Sequence, residues 1–518
     1  MPLKGIFDIE TDSEGRKSFK WLVIFCIALF ALWSALPMIL LENTYIDILE
    51  NIVWSRHFQF GYDKNPYFGA WLTQACYILS GHGIWINYVL SQLSVLIGFL
   101  CVWKLARSFL PPLQSLISVM LLTGVLFYGS KTIEFNDDVL EIALWSLSML
   151  FFHRALTKQQ LLDWLFVGLW TGLAFMTKYY GLVLFASMGL VMLLTKEGRG
   201  SFRKPGPWLS LALFLVLSLP NIVWLWQNDF VAIRYAMGRA KLSGKTISDP
   251  LRHLTQPLDF LQRMLSVIVP TLIAFSVIFF RRDKSLPEST PFNRIFFSVL
   301  CWGPFAFTFV FSIITASSIR YSWMTPGFLL VGIFMVMFWR PLVNNLRFGL
   351  LLLFVLVFSL VCAGIFSVQI LYTQPYLKKN CSYETFPGAE LSKDLTSLWR
   401  ETYGTPLKYV IGEREEACNI AVFSKDSPEA FFSANLQYSQ WIKREDIVRE
   451  GAVIVWKGGP EKCPDWLGKL EIPAGSLLNF PARSYPRAVK GWFKSILGKE
   501  PVLEPVSFSF IKPQSVGK

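Results

Sequence analysis

Stretches of about 20 apolar residues recur along most of this 518-residue chain. A helix of about 20 residues crosses the roughly 30 Å hydrocarbon core of a bilayer, so such stretches are typical of transmembrane helices. Only 16% of the residues are charged, whereas a soluble domain carries roughly 25%. The sequence therefore predicts a mainly α-helical protein that crosses a membrane many times.

The apolar runs predict about eleven transmembrane helices, although run length alone does not separate short spans from re-entrant helices. The predicted spans are 21–41, 84–103, 113–129, 138–156, 161–177, 180–195, 208–226, 260–280, 295–314, 324–339 and 348–372. Residues 1–20 lack a signal-peptide pattern, so we expect the first span to be retained.

Basic residues concentrate in alternate loops between these runs. They are Lys104 and Arg107, Arg154 and Lys158, Lys196 to Lys204, Arg281 to Lys284, and Arg340 to Arg347. The positive-inside rule places these loops on the cytoplasmic side, together with the N-terminal segment 1–20. With an odd number of spans, the part of the chain after residue 372 then lies on the opposite, exported face.

The net charge of +13 is explained largely by these loops, so it does not indicate a nucleic-acid partner. The eight cysteines show no CxxC spacing, which argues against a zinc or redox motif. Cys381, Cys418 and Cys463 lie beyond the last span, where a disulfide between two of them is one alternative. No Gly-rich phosphate loop and no inverted halves are evident, which disfavours nucleotide-driven or secondary transport.

Residues 373–518 have the composition of a soluble domain, whereas 21–372 form the predicted transmembrane domain. An amphipathic helix is predicted at 388–404. Strands are predicted at 407–413, 419–424, 451–458 and 506–513, and a loop at 458–488. We therefore expect a small α/β domain, exported to the periplasm if the host is bacterial.

Candidate catalytic side chains come from separate loops of the predicted exported face. They are Asp47, Asp137, Asp138, Lys178, Asp229 and Arg320. Asp47, in the first exported loop 42–83, is either a general base or metal ligand or an interfacial helix cap. Asp137 and Asp138 either cap a helix or form a functional cluster with Glu141, because an acid inside a span is costly.

The basic candidates carry a similar ambiguity. Lys178 and Arg320 either hold a phosphate or extend to the membrane interface as ordinary anchors. The loop 227–260 contains Arg234, Arg239, Lys241, Lys245 and Arg252. On the exported side this charge either binds an anionic headgroup or forms a solvated helical face.

Five segments, taken in order, resemble bacterial members of glycosyltransferase family 39, which are membrane enzymes of the type-C fold. They are YIDILENIVWSRHFQFGYDKNPYFGAWL, EFNDDVLEIALW, GLAFMTKYYGLVL, SLPNIVWLWQNDFVAIRYAMGR and IRYSWMTPGFLLV. The family includes protein O-mannosyltransferases and the aminoarabinose and galacturonic acid transferases that modify lipid A. The segment from GAELSKDLTSLWRE to GAVIVW is similar to the exported domain of these proteins.

This resemblance implies an inverting transfer of a sugar from a polyprenyl-phosphate donor to an acceptor at the exported face. Asp47 would be the base, and Asp137 or Asp138 would position the sugar or the acceptor. The implied donor-phosphate residues are Lys64, Lys178, Arg234, Arg239 and Arg320, and the implied substrate-positioning residues are Tyr62, Asn65 and Tyr179.

Two features depart from the family pattern. The family usually has His-Pro or Lys-Pro in the first loop, whereas here Asn65 precedes Pro66 and the basic residue is Lys64. Asp47 is not followed by Glu, so we expect no required cofactor and do not favour an obligatory divalent metal.

The leading hypothesis is a transferase of the bacterial inner membrane that acts on lipid A or lipopolysaccharide core. A protein acceptor is the main alternative. Two further hypotheses are not enzymatic. One is a flippase or transporter of lipid-linked glycans, and the other is an assembly subunit with a degenerate site. No nucleic-acid partner is expected.

Overall fold

The structure is a computed structural model that describes residues 12–240, 249–286, 288–470 and 475–514. The helices that precede residue 380 are α1 (Ser13–Leu40), α2 (Ile46–Ser55), α3 (Phe68–Leu79), α4 (Ile86–Arg107), α5 (Pro112–Met120), α6 (Asp137–Lys158), α7 (Leu161–Thr177), α8 (Gly181–Leu194), α9 (Lys196–Ser201), α10 (Pro205–Gln227), α11 (Val231–Arg239), α12 (Arg252–Ile278), α13 (Pro291–Thr315), α14 (Val331–Trp339) and α15 (Asn345–Val368). A 3₁₀ segment at Tyr321–Phe328 precedes α14, and a π-helical turn at Gln369–Leu377 continues α15.

Long apolar helices dominate the first three-quarters of the chain. Within the described residues, seven helices are long and apolar enough to cross a membrane, and the bent pair Tyr321–Phe328 and Val331–Trp339 makes an eighth if it crosses as one. Each predicted apolar span coincides with one of these helices or with a shorter apolar one, namely Pro112–Gly124, Leu161–Thr177 and Gly181–Leu194. The expectation of a mainly helical, multi-pass membrane protein is therefore confirmed.

The chain divides into two compact units that do not follow its linear order. The first comprises Met1–Ala35, Lys64–Gly69 and Tyr88–Ala363. The second comprises Leu36–Asp63, Ala70–Asn87 and Gly364–Lys518. The predicted first exported loop 42–83 is thus shared between the units, and most of it groups with the C-terminal part of the chain.

Helix-on-helix packing forms the first unit. Helix α7 lies between α6 and α10, and α8 packs against α13. The stretch 227–260 is predicted to be a loop, but its described residues include two helical segments: α11 lies inside it, and α12 begins at Arg252 rather than at residue 260. Lys241 and Lys245 of this stretch lie outside the described residues.

The second unit contains helices and a mixed sheet. Its C-terminal helices are α16 (Gly388–Tyr403), α17 (Arg414–Phe423), α18 (Arg444–Glu450) and α19 (Gly491–Leu497), and its strands are β1 (Tyr409–Gly412), β2 (Glu429–Phe432), β3 (Ala452–Lys457), β4 (Leu477–Asn479), β5 (Arg483–Pro486) and β6 (Leu503–Ile511). The order is β2-β1-β3-β6-β4, and β5 pairs with β6. Strands β1, β2 and β3 are parallel, whereas β6 is antiparallel to its neighbours.

Three of the predicted strands match β1, β3 and β6, and the predicted helix at 388–404 matches α16, which ends at Gly404 with φ +68°. The strand predicted at 419–424 is wrong, because this stretch belongs to α17. The predicted loop 458–488 contains β4 and β5. The alternative of a disulfide is not borne out, since none forms among the eight cysteines, all of which lie in described parts of the chain.

Candidate active site

Two aspartates open helix α6 in the first unit. Asn136 is the N-cap, and its side-chain oxygen accepts a hydrogen bond from the Val139 amide at 3.1 Å. Asp137 and Asp138 follow in the first turn, where a carboxylate is favoured by the helix dipole. Asn136 therefore provides the side-chain cap of this helix.

Asp138 binds Lys178, which follows the last residue of α7. The Lys178 ammonium donates to a carboxylate oxygen of Asp138, and both side chains are only about 15% exposed (15% and 14%). The same ammonium lies 5.5 Å from the centre of the Trp323 ring, within reach of a cation–π interaction. The sequence-predicted pair Asp138 and Lys178 is therefore brought together.

Glu141 lies one turn further into α6 and is fully buried. Neither of its carboxylate oxygens has a hydrogen-bond partner within the described residues. A buried acid inside an apolar helix is costly and is by default a sign of function. The first turns of α6 thus carry three acids, and one of them, Asp138, binds Lys178 at the end of α7. We call Asp137, Asp138, Glu141 and Lys178 the acid–lysine cluster.

The segment Lys64–Gly69 packs against the same unit and connects this cluster to a group of cations. At one end, a Cβ atom built on Gly69 would overlap a carboxylate oxygen of Asp137, so this carboxylate approaches the segment closely. At the other end, the Lys64 ammonium lies 5.6 Å from the centre of the Tyr235 ring. The Arg239 guanidinium lies 5.9 Å from the same ring. We call Lys64, Tyr235 and Arg239 the cationic cluster.

The remaining sequence-predicted residues of the first unit lie in varied surroundings. The Tyr179 hydroxyl donates to the side-chain oxygen of buried Asn221 at 3.0 Å. Asn65 is half-buried, and Arg234 and Arg320 are exposed. Tyr235 and Trp323 were missed because a single aromatic in a sequence rich in aromatics carries no distinguishing signal.

Asp47 lies in the second unit, in the first turn of α2. It is half-buried, whereas every residue from Ile48 to Ser55 is buried. Tyr45 is the N-cap and makes no side-chain capping bond. Tyr62 belongs to the same loop: its hydroxyl donates to the His57 carbonyl at 2.8 Å, so it contributes to the packing of the loop.

Arg414, at the start of α17, binds two acids of this loop. Its guanidinium donates to Glu50 at 3.0 Å and also to the carboxylate of Asp63. The two acids are 1% and 2% exposed. Burial by itself lowers the pKa of Arg414, but the charges of Asp63 and Glu50 outweigh it and raise the pKa above its usual value. Sequence reasoning missed this contact because more than 350 residues separate Arg414 from its partners.

The described residues contain no group of three or more His, Cys, Asp or Glu side chains arranged to hold a metal ion. The first unit contains carboxylates, the Asp138–Lys178 ion pair and the cationic cluster. Such groups suit proton transfer and the binding of a phosphate.

A known protein family matches the part of the chain that contains most of these groups. The family described as dolichyl-phosphate-mannose-protein mannosyltransferase matches residues 64–224. This range contains Lys64 and all four residues of the acid–lysine cluster. The resemblance to this family is confirmed.

Individual relatives are named by the sugar that they transfer. The lipid A galacturonosyltransferase RgtD of Rhizobium johnstonii is 26% identical over 47% of this chain and 50% of its own length. The lipopolysaccharide core galacturonosyltransferase RgtB of the same organism is 24% identical over 52% of this chain and 54% of its own. The undecaprenyl phosphate-alpha-4-amino-4-deoxy-L-arabinose arabinosyl transferase of Pectobacterium carotovorum is 32% identical, over 23% of this chain and 22% of its own. The matches to the two Rhizobium proteins thus span about half of their length.

The fold is shared with a solved structure over nearly the whole chain. ArnT from Cupriavidus metallidurans bound to undecaprenyl phosphate superposes with a TM-score of 0.62 at 14% identity, covering 94% of this chain and 98% of ArnT. At this level of identity the similarity shows the fold alone. The expected ArnT-like, type-C glycosyltransferase fold is therefore confirmed.

Proposed function

We propose that this protein is a membrane glycosyltransferase that moves a sugar from a polyprenyl-phosphate donor to lipid A or to the lipopolysaccharide core. The observation that carries this proposal is the Lys64–Gly69 segment. It lies beside both the cationic cluster and the acid–lysine cluster. The segment and the acid–lysine cluster fall within residues 64–224, which the family matches. Cations for a phosphate leaving group and carboxylates for the sugar are what such a transfer requires.

The reaction assigns a role to each group. The acceptor hydroxyl attacks the anomeric carbon, the bond from this carbon to the phosphate oxygen breaks, and polyprenyl phosphate leaves. Asp47 takes the hydroxyl proton as general base. Lys64 and Arg239 bind the phosphate, while Asp137 or Asp138 positions the sugar or the acceptor. Tyr179, Asn65 and Tyr62 are the proposed positioning residues around them.

The proposed acceptor is supported by two relatives, which are named as transferases for lipid A and for the lipopolysaccharide core. The family description instead names a protein acceptor, so protein O-glycosylation is the second candidate. The basic side chains Arg234 and Arg320 are exposed and therefore open to an anionic acceptor or donor. An anionic glycolipid fits them better than an average protein surface does.

The proposed topology places the chain in a bacterial inner membrane. Eight long spans and three shorter apolar helices, all within the described residues, would together give the predicted eleven crossings. With the N-terminal segment in the cytoplasm, an odd number of crossings puts the C-terminal part in the periplasm. The reaction would then take place at the periplasmic face.

The decisive variant is Asp47→Asn, which keeps the shape of the side chain and removes the base. Purified protein in lipid vesicles would be given an undecaprenyl-phosphate sugar and lipid A, and the products measured by mass spectrometry. We expect transfer to fall by about 100-fold or more, the range associated with a lost general base. Asp259→Asn is the matched control, because the Asp259 side chain is 47% exposed and pairs with Arg263 at 2.8 Å, and such pairs contribute little.

Mass profiles of lipid A, lipopolysaccharide and glycoproteins from a deletion strain would identify the acceptor. Loss of a sugar from lipid A or core supports the proposal, whereas loss from proteins supports the second candidate. Unchanged glycolipids in cells that carry only Asp47→Asn would contradict a transferase role for this residue.

A further inference from the structure

A buried ion triad holds the predicted catalytic loop. Arg414 of α17 contacts both Glu50 and Asp63, which are almost completely buried. The arginine is itself 19% exposed. One guanidinium between two buried carboxylates offsets charges that would otherwise repel each other, so loss of the arginine removes a cation from both acids at once.

The two acids lie next to the residues that the proposed reaction uses. Glu50 follows Asp47 by three residues in α2, so the two side chains lie on one side of the helix, a turn apart. Asp63 directly precedes Lys64 in the chain. A group that binds both Glu50 and Asp63 therefore limits the movement of α2, which carries Asp47.

We propose that Arg414 is a positioning residue that sets the orientation of α2, and with it Asp47, for the transfer reaction. This inference rests on the proposed function and adds a residue from the C-terminal part of the chain to the working site. Arg414 does not touch the substrate in this scheme; it acts through Glu50 and Asp63.

Other contacts keep the loop attached when Arg414 is changed. The Arg56 guanidinium donates to the Ala421 carbonyl at 2.8 Å, and the Asn43 side chain donates to Asn419 at 2.9 Å. The Nε2 atom of His57 lies 2.7 Å from a carboxylate oxygen of Glu429. Because these contacts do not involve Arg414, its loss should loosen α2 locally without detaching the loop.

The test compares Arg414→Ala, Arg414→Lys and the control Arg400→Ala in the full-length protein in lipid vesicles. Arg400 is also a C-terminal arginine, paired with the buried carboxylate of Asp426, but the pair lies outside the loop. A base displaced by about 1 Å can cost on the order of 100-fold in rate. We expect Arg414→Ala to lower kcat by about this factor while KM for the donor changes by less than about threefold. Arg414→Lys, which keeps the charge, should recover part of kcat.

Hydrogen exchange gives a readout that does not depend on activity. The amides of α2 should exchange faster in Arg414→Ala than in the wild type, and should be unchanged in Arg400→Ala. Wild-type kcat together with unchanged exchange in Arg414→Ala would overturn the proposal. If that variant does not fold, Arg414→Lys and Asp63→Asn replace it, and unchanged kcat in both would again overturn it. Absence of transferase activity in the wild-type protein would refute the proposed function. The exchange data would still test whether Arg414 restrains α2.

Discussion

At the residue scale, the pairing of Lys178 with Asp138 changes what each side chain offers. A lysine next to a carboxylate, with both largely buried, has its charge offset before any phosphate arrives. Lys64 and Arg239 both lie beside the ring of Tyr235, so two cations come together at one place. Two neighbouring cations suit the binding of the leaving phosphate, and the Asp138–Lys178 pair suits the orientation of the sugar.

Glu416 predicts a pH dependence of stability. Burial raises the pKa of its carboxyl from 4.5 to about 7, and Glu415 adds to the rise while Lys457 opposes it. Between these values the folded protein holds a proton that the unfolded chain has lost, so stability falls as the pH rises through this range. Glu416→Gln cannot ionise and should be more stable than the wild type at pH 8, by about 3 kcal/mol.

The measurement is the thermal unfolding midpoint of the two proteins at pH 5 and pH 8. The unfolding midpoint of Glu416→Gln should exceed that of the wild type by a large margin at pH 8 and by a much smaller one at pH 5. Glu401→Gln, at an exposed position of α16, is the control and should show no such dependence. Equal margins at both pH values would refute the assignment of the shift to Glu416.

The site could be predicted only as far as local patterns reach. Asp137, Asp138 and Lys64 could be predicted from the sequence because they lie in segments that resemble the family. Arg414 could not, because its contact with Glu50 exists only after residues far apart in the chain have packed together. The same holds for Tyr235, whose ring lies beside Lys64.

At the scale of elements, apolar length predicted helices better than short patterns predicted strands. The stretch 419–424 has six residues, which is too few to separate a period of 2 from one of 3.6, and it is the end of helix α17. Strand β2, with four residues, was missed for the same reason. Long spans succeed because hydrocarbon fixes both their length and their composition.

Helix packing predicts the effect of one small residue. Gly332 of α14 faces the backbone of Ser118 in α5, and a Cβ atom there would overlap the Ser118 carbonyl oxygen. Small residues allow helices in membranes to approach this closely. Gly332→Ala should push the helices apart and lower stability by about 1–3 kcal/mol, the usual cost of overpacking.

Thermal unfolding in lipid or detergent would check this expectation. The matched control is Gly349→Ala in α15, where an added Cβ atom meets no other atom within 4 Å. The control should unfold at or above the wild-type temperature. If the two variants unfold at the same temperature, close packing at Gly332 does not contribute to stability.

At the scale of the whole molecule, the first loop belongs to two units. Lys64–Gly69 groups with the helices that carry Asp138 and Lys178, whereas Leu36–Asp63 groups with the C-terminal part of the chain. The sequence predicted the loop as one connected piece and the C-terminal domain as a separate one. The two compact units differ from these linear bounds because they are defined by contacts, and long-range contacts cannot be inferred from composition. The linear domain bounds stay a prediction.

The orientation of the chain leads to the last prediction. Cys463 is exposed in the C-terminal part, whereas the other cysteines are buried or half-buried. If this part lies in the periplasm, a membrane-impermeant maleimide added to intact spheroplasts should label Cys463 in the wild type. Cys463→Ser should remove the signal, which identifies the labelled residue.

A second position tests the opposite face. Lys284 is exposed in a loop that the positive-inside rule assigns to the cytoplasm. Lys284→Cys in the Cys463→Ser background should be labelled only after the membrane is permeabilised. Labelling of Lys284→Cys in intact spheroplasts, or of Cys463 only after permeabilisation, would reverse the topology. The proposed transfer would then face the cytoplasm, and the polyprenyl-phosphate donor would have to be used on that side.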